Sequence, residues 1–177
     1  MGVMGVIKER RSVRAFKTDK VPDDILLELV EAGTWAPSAS NIQAWYFIVV
    51  NDQHVLEQTA AFSPGLLGNP PALIVACSDK QLAFENGGEI GERELCLMDL
   101  CMASQNIMLL ATEKGLGTCP IKSFNGPALS KILRLPDHIS PELVISIGYP
   151  KNNPPTPLRK PVNKVSYFNK WGDGIEA

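Results

Sequence analysis

One long apolar segment near the middle of the chain constrains the fold more than any other feature. Residues 92–114 follow a helical pattern that is apolar on most sides; Gly115 ends this pattern, and a break at residues 86–88 precedes it. A helix of this kind must be covered by protein on most sides. We therefore predict that it lies in the core of the domain and partly in an interface between subunits.

Shorter helix and strand patterns alternate on either side of this helix. Pro22 begins another helix, with Asp23 and Asp24 in the first turn, where the helix dipole favours negative charge. Strands are predicted at residues 46–50, 71–77, 117–120 and 143–147, and a further helix at residues 127–133. Beyond Pro150 the chain is rich in proline and lacks helical periodicity, so we predict an extended C-terminal arm that embraces a partner subunit.

The composition is that of one globular domain, spanning residues 1–177. Of the 177 residues, 45% are hydrophobic and 20% are charged. The net charge of −2 argues against nucleic acid as a partner, because binding a phosphate backbone needs a broad cationic face. We see neither an apolar secretory segment nor a run long enough to cross a bilayer, so we expect a cytoplasmic protein without membrane contact.

The four cysteines do not form a metal-binding pattern. Cys96 and Cys101 are five residues apart on the predicted helix and point to different faces, and no Cys-x-x-Cys pair or neighbouring histidine completes a tetrahedral set. We expect all four, including Cys77 and Cys119, to be reduced and mainly buried. No metal site is predicted.

The segment after the first few residues is the first candidate binding site. Arg10, Arg11, Ser12 and Arg14 place three guanidinium groups and a hydroxyl within five residues of a slightly acidic chain. Arginine presents a planar fork of donors that matches phosphate and stays charged. The cluster therefore suits an anion, although a cationic stretch near a terminus is also typical of solvated surface.

A polar loop about twenty residues further on is the second candidate. It contains Pro37, Ser38, Ala39, Asn41 and Gln43 and runs directly into a predicted strand. Amide and hydroxyl side chains beside exposed backbone N–H groups can bind the edge of a heterocycle, which carries both donors and acceptors. The same residue types also form ordinary loops. On its own the loop leaves both interpretations open.

Four segments in this order resemble the nitroreductase family of FMN-dependent oxidoreductases. They are residues 10–16, 37–45, 115–124 and 148–162. Ala44 stands where the family commonly has proline. The resemblance spans nearly the whole chain, and it implies an α+β, three-layer fold. In that fold a mixed, mainly antiparallel sheet is flanked by helices and followed by an extended C-terminal arm.

The resemblance also assigns residues to positions around FMN. It places Arg10, Ser12 and Arg159 at the terminal phosphate, Arg11 beside the ribityl chain, and Arg14 at the pyrimidine side of the ring, where a cation stabilises the reduced anion. The other expected cofactor-binding residues are Pro37, Ser38, Ala39, Asn41 and Gln43 of the loop, Pro120, Ile121, Lys122 and Ser123 of the strand that follows the long helix, and Lys160 of the tail.

One backbone contact and two departures from the family pattern bear on the flavin ring. Family members direct a backbone N–H at flavin N5 from the position of Lys122 or Ser123. The residue that matches Lys122 is often glutamate, so the role of its side chain stays open. Residues 63–66 replace an Asn and a Lys that relatives often carry, which leaves those ring contacts open as well.

The function implied by the resemblance is FMN-dependent reduction of nitroaromatics, quinones or a related acceptor. NADH or NADPH would supply the electrons in a ping-pong mechanism, and the flavin rather than a catalytic side chain would carry the chemistry. A homodimer with two FMN sites is implied too, because the loop at residues 37–45 in relatives contacts the flavin bound mainly by the other subunit.

Two alternatives to this function stay open. One is a protein that stores or senses flavin without turning over a substrate. The other is a specialised dehydrogenase or dehalogenase on the same scaffold, whose substrate lid would lie between Ala60 and Glu92.

Overall fold

Four β-strands form one antiparallel sheet at the centre of the protein. The computed structural model describes residues 2–174. In chain order the strands are β1 (Trp45–Val50), β2 (Ala72–Asp79), β3 (Gly117–Ile121) and β4 (Ile139–Gly148), and they lie side by side as β1-β2-β4-β3. Each neighbouring pair is antiparallel. A parallel bridge between Ser12 and Thr118 adds the segment after the first helix to the β3 edge.

Helices cover both faces of this sheet. They are α1 (Val3–Glu9), α2 (Asp23–Thr34), α3 (Gln53–Ala61), α4 (Lys80–Ile90), α5 (Cys96–Glu113) and α6 (Gly126–Ile132). The side chains of Asp52, Asp79 and Asn125 accept hydrogen bonds from backbone N–H groups in the first turns of α3, α4 and α6, at 2.8–3.0 Å. These caps satisfy backbone donors that have no partner within the helix, which explains where the helices begin.

The alternation of side chains along β2 organises the two halves of the core. Ile74 faces the layer of α2 and α5, where it packs in one cluster with Leu29 and Ile107. Leu73, its neighbour, faces α3 and α6 and packs in a second cluster with residues that include Leu129. All of β2 is buried, because both of its faces are covered. The predicted three-layer α+β fold is confirmed.

The predicted central helix is present, but it begins later than expected. A π-helical turn, Gly91–Leu95, precedes α5, and Gly88 breaks the helix before that turn with a φ of 61°. The chain reverses there. Lys80 Nζ lies 3.5 Å from Cys96 Sγ, whereas a continuous helix would separate residues that far apart in sequence by about 24 Å.

The expected substrate lid is only partly compatible with the fold. The segment between Ala60 and Glu92 contains β2, which is buried throughout, and α4, which we did not predict. The lid stays a prediction, and β2 cannot belong to it, because this strand lies in the core. The loop between α3 and β2, residues 62–71, is the largely exposed part of that segment.

One stretch passes a length and composition test for a membrane span, contrary to our expectation. It is the helical stretch Lys80–Glu113. The reversal at Gly88 means that this stretch is not one straight helix, and α5 buries Leu100, Ala103 and Ile107 between the sheet and the other helices. These are the properties of a core helix.

The chain beyond β4 forms the predicted extended arm. Phe16 bridges Pro150, and Lys151 donates its N–H to the carbonyl of Ala15 at 2.9 Å, so the arm leaves the domain beside the segment that follows α1. From there to residue 174 the described chain contains a 3-10 turn, Val162–Lys164, and otherwise runs without helices or named strands.

Candidate functional site

Arg10, the residue that follows α1, has a half-buried side chain. One guanidinium nitrogen of Arg10, Nη1, is buried and has no hydrogen-bond partner among the described residues. Burial and the positive charges of Arg159 and Arg11 lower the pKa of Arg10. The three arginines therefore form a cationic cluster to which α1 contributes two members and the arm contributes the third. A buried donor without a partner destabilises the fold by about 1–3 kcal/mol, which an incoming anion would offset.

Arg11 is engaged in contacts within the protein. Its Nη1 donates hydrogen bonds to the carbonyls of Lys8 and Arg10, at 2.6 and 2.9 Å, and its Nη2 donates to Thr156 Oγ1 at 2.5 Å. The structure thus places the Arg11 side chain between the end of α1 and the arm. A contact with the ribityl chain stays a prediction.

Ser12 is held against the edge strand of the sheet. It forms the parallel bridge with Thr118, and the next residue, Val13, donates its N–H to the carbonyl of Thr118 at 2.9 Å. Gly117 permits this approach, since a Cβ there would lie 2.6 Å from the Val13 side chain. The hydroxyl of Thr118, like Arg10 Nη1, is buried and has no hydrogen-bond partner within residues 2–174.

A glycine-containing loop connects Arg14 with the end of β3. A Cβ at Gly68 would collide with the carbonyl of Arg14, and a Cβ at Gly65 would collide with the hydroxyl of Ser123. Gly65 also donates its N–H to the carbonyl of Ser123 at 3.4 Å. Arg14 itself is exposed, and within residues 2–174 it takes part in none of the salt bridges. The loop therefore brings together two positions that the sequence predicted for the flavin ring.

The side chain of Lys122 binds a buried carboxylate. Glu142 accepts a hydrogen bond from Lys122 Nζ at 2.9 Å and forms an ion pair with Lys80 Nζ at 2.9 Å. Burial alone would raise the pKa of Glu142, but the hydrogen bonds from the two lysines lower it. Burial alone would lower the pKa of Lys80, but the hydrogen bond to Glu142 raises it. The ion pairs therefore outweigh desolvation. The question of the Lys122 side chain is answered structurally, since it ties the end of β3 to β4.

The cysteines are mostly as expected. Cys77, Cys96 and Cys119 are buried, whereas Cys101 is exposed on α5. Burial, with the nearby charge of Glu142, raises the pKa of Cys77 to about 12, so this thiol stays protonated. No group of ligands that could hold a metal occurs in the part of the chain that the structure describes.

The polar loop before β1 has an unusual backbone. Ser40, Asn41 and Gln43 have φ values of 48°, 56° and 55°, in the left-handed region that residues other than glycine rarely adopt. Two side chains hold this shape: Asp99 accepts a hydrogen bond from Ala39 N at 3.0 Å, and Ser38 accepts one from Gln43 N at 3.1 Å. Asn41 and Gln43 are exposed. The loop is thus rigidly built and presents amides to its surroundings.

The polar loop and the arginine cluster lie at opposite edges of the sheet. The loop leads into β1, whereas Ser12 pairs with β3, and β2 and β4 lie between these strands. At about 4.8 Å per strand, the two edges are roughly 14 Å apart. Within one chain, the structure does not bring the two predicted segments together.

Comparison with known proteins identifies the family. Residues 7–63 and 58–149 match the sequence model of the nitroreductase family. A Methanothermobacter thermautotrophicus protein, provisionally named NADH dehydrogenase/NAD(P)H nitroreductase, is 31% identical over 88% of this chain and 81% of its own length. The chain belongs to the nitroreductase family.

Two further proteins show the same relationship. A Bacillus subtilis protein named FMN reductase (NADPH) is 28% identical over 93% of this chain and 72% of its own length. The crystal structure of a nitroreductase family protein from Clostridium novyi NT superposes with a TM-score of 0.77 at 29% identity, covering 99% of this chain and 97% of the other. The fold and the order of elements are thus those of a nitroreductase.

Several features of this nitroreductase fold escaped the sequence analysis. Glu142 was not predicted, because a carboxylate inside a strand gives no sign of the two lysines that meet it in space. Thr156 and Thr118 were also missed, since single threonines in an arm and a strand carry no signal. Gly65 and Gly68 could have been noticed, because two glycines in a short loop indicate close approach of the backbone to another segment.

Two cavities lie near these elements. One, of about 370 Å³, borders Arg11 and lies between the C-terminal end of α5 and the start of the arm. The other, of about 500 Å³, lies between the start of α3 and the loop before β2, and its lining contains none of the predicted cofactor-binding residues. Among the predicted flavin contacts, Arg11 lines the first of these cavities, and the others line neither of the two within one chain.

Replacement of Gly68 by alanine tests the packing of the loop on Arg14. Gly115 is the matched control, since its φ of 75° is close to the 79° of Gly68 but the space for a Cβ is open. We expect Gly68→Ala to lower the free energy of unfolding by about 1–3 kcal/mol more than Gly115→Ala, because only Gly68 faces a backbone carbonyl. Chemical denaturation measures the difference. Equal losses in the two variants would contradict the packing described here.

Proposed function

We propose that this protein is an FMN-dependent oxidoreductase that passes electrons from NADH or NADPH to small electron-poor acceptors, such as nitroaromatics or quinones. We further propose that it is a homodimer with two FMN sites, located in the cytoplasm. The observation that carries the proposal is the buried, unpaired Nη1 of Arg10 within a cluster of three arginines. The name of the Bacillus subtilis relative, an FMN reductase, supports the choice of cofactor.

The residues of the cluster fit the phosphate of FMN. Arg10 offers an unpaired buried donor, and Arg159 hydrogen-bonds only weakly, at 3.4 Å, to the carbonyl of Leu158 beside it. Ser12 adds a hydroxyl beside the equally unpaired Thr118. A dianionic phosphate would stabilise the positive charge of Arg10, whose pKa is lowered by burial and by the charges of Arg159 and Arg11. Lys160, next to Arg159 and exposed, adds positive charge to the same end of the site.

The chain contributes charge and backbone donors toward the ring. FMN, when bound, supplies a centre that accepts a hydride and passes electrons on. Arg14 has no acidic partner in the described salt bridges, so its charge is available to stabilise negative charge at the pyrimidine edge. Backbone N–H groups at Lys122 or Ser123 would donate a hydrogen bond to the flavin ring. The Lys122–Glu142 bond and the contact with Gly65 keep that segment in place.

Exposed apolar surface supports the homodimer. Met98 on α5 is 58% exposed and Met4 on α1 is 62% exposed, and α1 packs beside α5. Leu158 and Trp171 of the arm are 99% and 89% exposed. Exposed apolar residues on neighbouring helices are typical of a protein interface. A second copy of the chain covers it, with the arm reaching across.

The position of the polar loop supports a site shared between subunits. Within one chain this loop lies at the β1 edge and the arginine cluster at the β3 edge. In the dimer, Asn41 and Gln43 of one subunit contact the flavin whose phosphate is held by the other. The backbone of Pro37, Ser38 and Ala39 lines the same wall. The loop of the partner subunit would therefore complete a site that one chain leaves open. With FMN bound there, the protein would use NAD(P)H and the acceptor in a ping-pong cycle.

Removal of the Arg14 charge tests the redox function. We expect NADH or NADPH to bleach the flavin bound to the wild-type protein, and an acceptor to restore its colour. A flavin-storage protein would not show this cycle.

The variant Arg14→Gln should bind FMN nearly normally. It should lower the two-electron potential of the bound flavin by about 30–60 mV and slow its reduction, because the anionic state loses a cation. Lys17→Gln, an exposed cation three residues away, is the control. An unchanged potential in Arg14→Gln would refute the assignment.

A charge placed in the apolar surface tests the dimer. We expect Met98→Glu to dissociate the protein and to release FMN, since the shared wall of the site is lost. Leu27→Glu is matched in exposure, at 63%, and lies on α2. It should leave both properties unchanged. Sedimentation velocity recorded at a flavin wavelength measures the oligomeric state and the bound FMN together. A monomer that carries FMN at micromolar concentration would contradict the shared-site proposal.

A further inference from the structure

The arm reaches the arginine cluster through a stretch with little backbone pairing. Pairing with the domain ends at Lys151, whose N–H is bonded to the carbonyl of Ala15. Arg159 follows eight residues later, and three prolines in between have no N–H to donate. The hydrogen bond that Arg159 itself makes is to the neighbouring carbonyl of Leu158. Neither backbone pairing nor Arg159 therefore fixes this part of the arm on the domain.

A side-chain contact fixes it instead. Arg11 Nη2 donates to Thr156 Oγ1 at 2.5 Å, while Nη1 is bonded to the carbonyls of Lys8 and Arg10 at the end of α1. One nitrogen of the guanidinium group is thus bonded to the end of the helix, and the other is bonded to the arm. The planar, rigid shape of this group suits this double role better than a lysine would.

We propose that Arg11 and Thr156 are positioning residues that hold the arm on α1, so that Arg159 stays beside Arg10 before any ligand arrives. The proposal rests on the proposed function, because it treats Arg10 and Arg159 as the phosphate donors. It gives Arg11 a role other than contact with the cofactor. The bond to Thr156 orders the arm before the ligand binds. Binding therefore does not carry the entropic cost of ordering it.

The length of the tether sets the expected size of the effect. With the Thr156 bond in place, Arg159 is three residues from its anchor; without it, Arg159 is eight residues from the anchor at Lys151. Effective concentration falls with about the −3/2 power of tether length, which corresponds to roughly a fourfold loss here. The loss should appear only in ligands whose binding uses Arg159.

The experiment compares Thr156→Val, which keeps the shape and removes the hydroxyl, with Thr156→Ser, which keeps the hydroxyl. In flavin-free protein, trypsin should cut after Arg159 several times faster in Thr156→Val than in wild type or Thr156→Ser. FMN affinity should fall about fourfold in Thr156→Val and recover in Thr156→Ser. In an Arg159→Ala background, Thr156→Val should have no further effect on FMN affinity.

The outcomes separate this inference from the proposed function. An unchanged cleavage rate in Thr156→Val, or the same fourfold loss in the Arg159→Ala background, would overturn the positioning role. If Arg159→Ala alone bound FMN with full affinity, Arg159 would not be a phosphate donor. The predicted dependence of the Thr156→Val effect on Arg159 would then be wrong as well. Faster cleavage in Thr156→Val would then still show that Arg11 and Thr156 hold the arm.

Discussion

The arrangement at the β3 edge of this nitroreductase depends on a charge that the chain itself does not balance. Arg10 ends α1 with a buried donor that has no partner, and Arg11 and Arg159 add charge of the same sign nearby. Groups with perturbed pKa values cluster at functional sites, and an anionic ligand would balance this charge. Two contacts hold the segments that carry this cluster. Ser12 forms a bridge with β3, and Arg11 donates a hydrogen bond to the arm, which carries Arg159.

The remaining contacts relate this point to the rest of the fold. Glu142 links the ends of β3 and β2 through Lys122 and Lys80, and the glycine loop packs between Ser123 and Arg14. Electrostatics and close packing thus keep the end of β3 in place. The polar loop is equally rigid but lies at the other edge of the sheet. The two predicted segments therefore lie apart within one chain, and the proposed dimer would bring them together along the exposed apolar residues of α1 and α5.

The sequence predicted those structural features that depend on residues close together in the chain. The strands, α2, α6, the break at Gly88 and the extended arm follow from periodicity, glycine and proline. Spacing indicated Arg10 and Arg11 of the cationic cluster, whereas its third member, Arg159, came from the family resemblance. What could not be predicted depends on contacts distant in sequence. The pairing of Glu142 with two lysines, the grip of Arg11 on Thr156 and the reversal that brings Lys80 to Cys96 are examples. The helices α3 and α4 were not predicted, because their apolar periodicity is weak.

The most direct measurement is a titration of flavin-free protein with FMN and with riboflavin, which share the ring and ribityl chain but differ in the phosphate. If the cluster is a phosphate site, the wild-type protein binds FMN at least about 100-fold more tightly than riboflavin, since two charge-assisted contacts contribute about 1.5–3 kcal/mol each. Arg10→Ala should reduce this ratio roughly tenfold or more while leaving riboflavin affinity unchanged. Equal affinity of the wild-type protein for the two flavins, or a ratio that Arg10→Ala does not alter, would contradict the account.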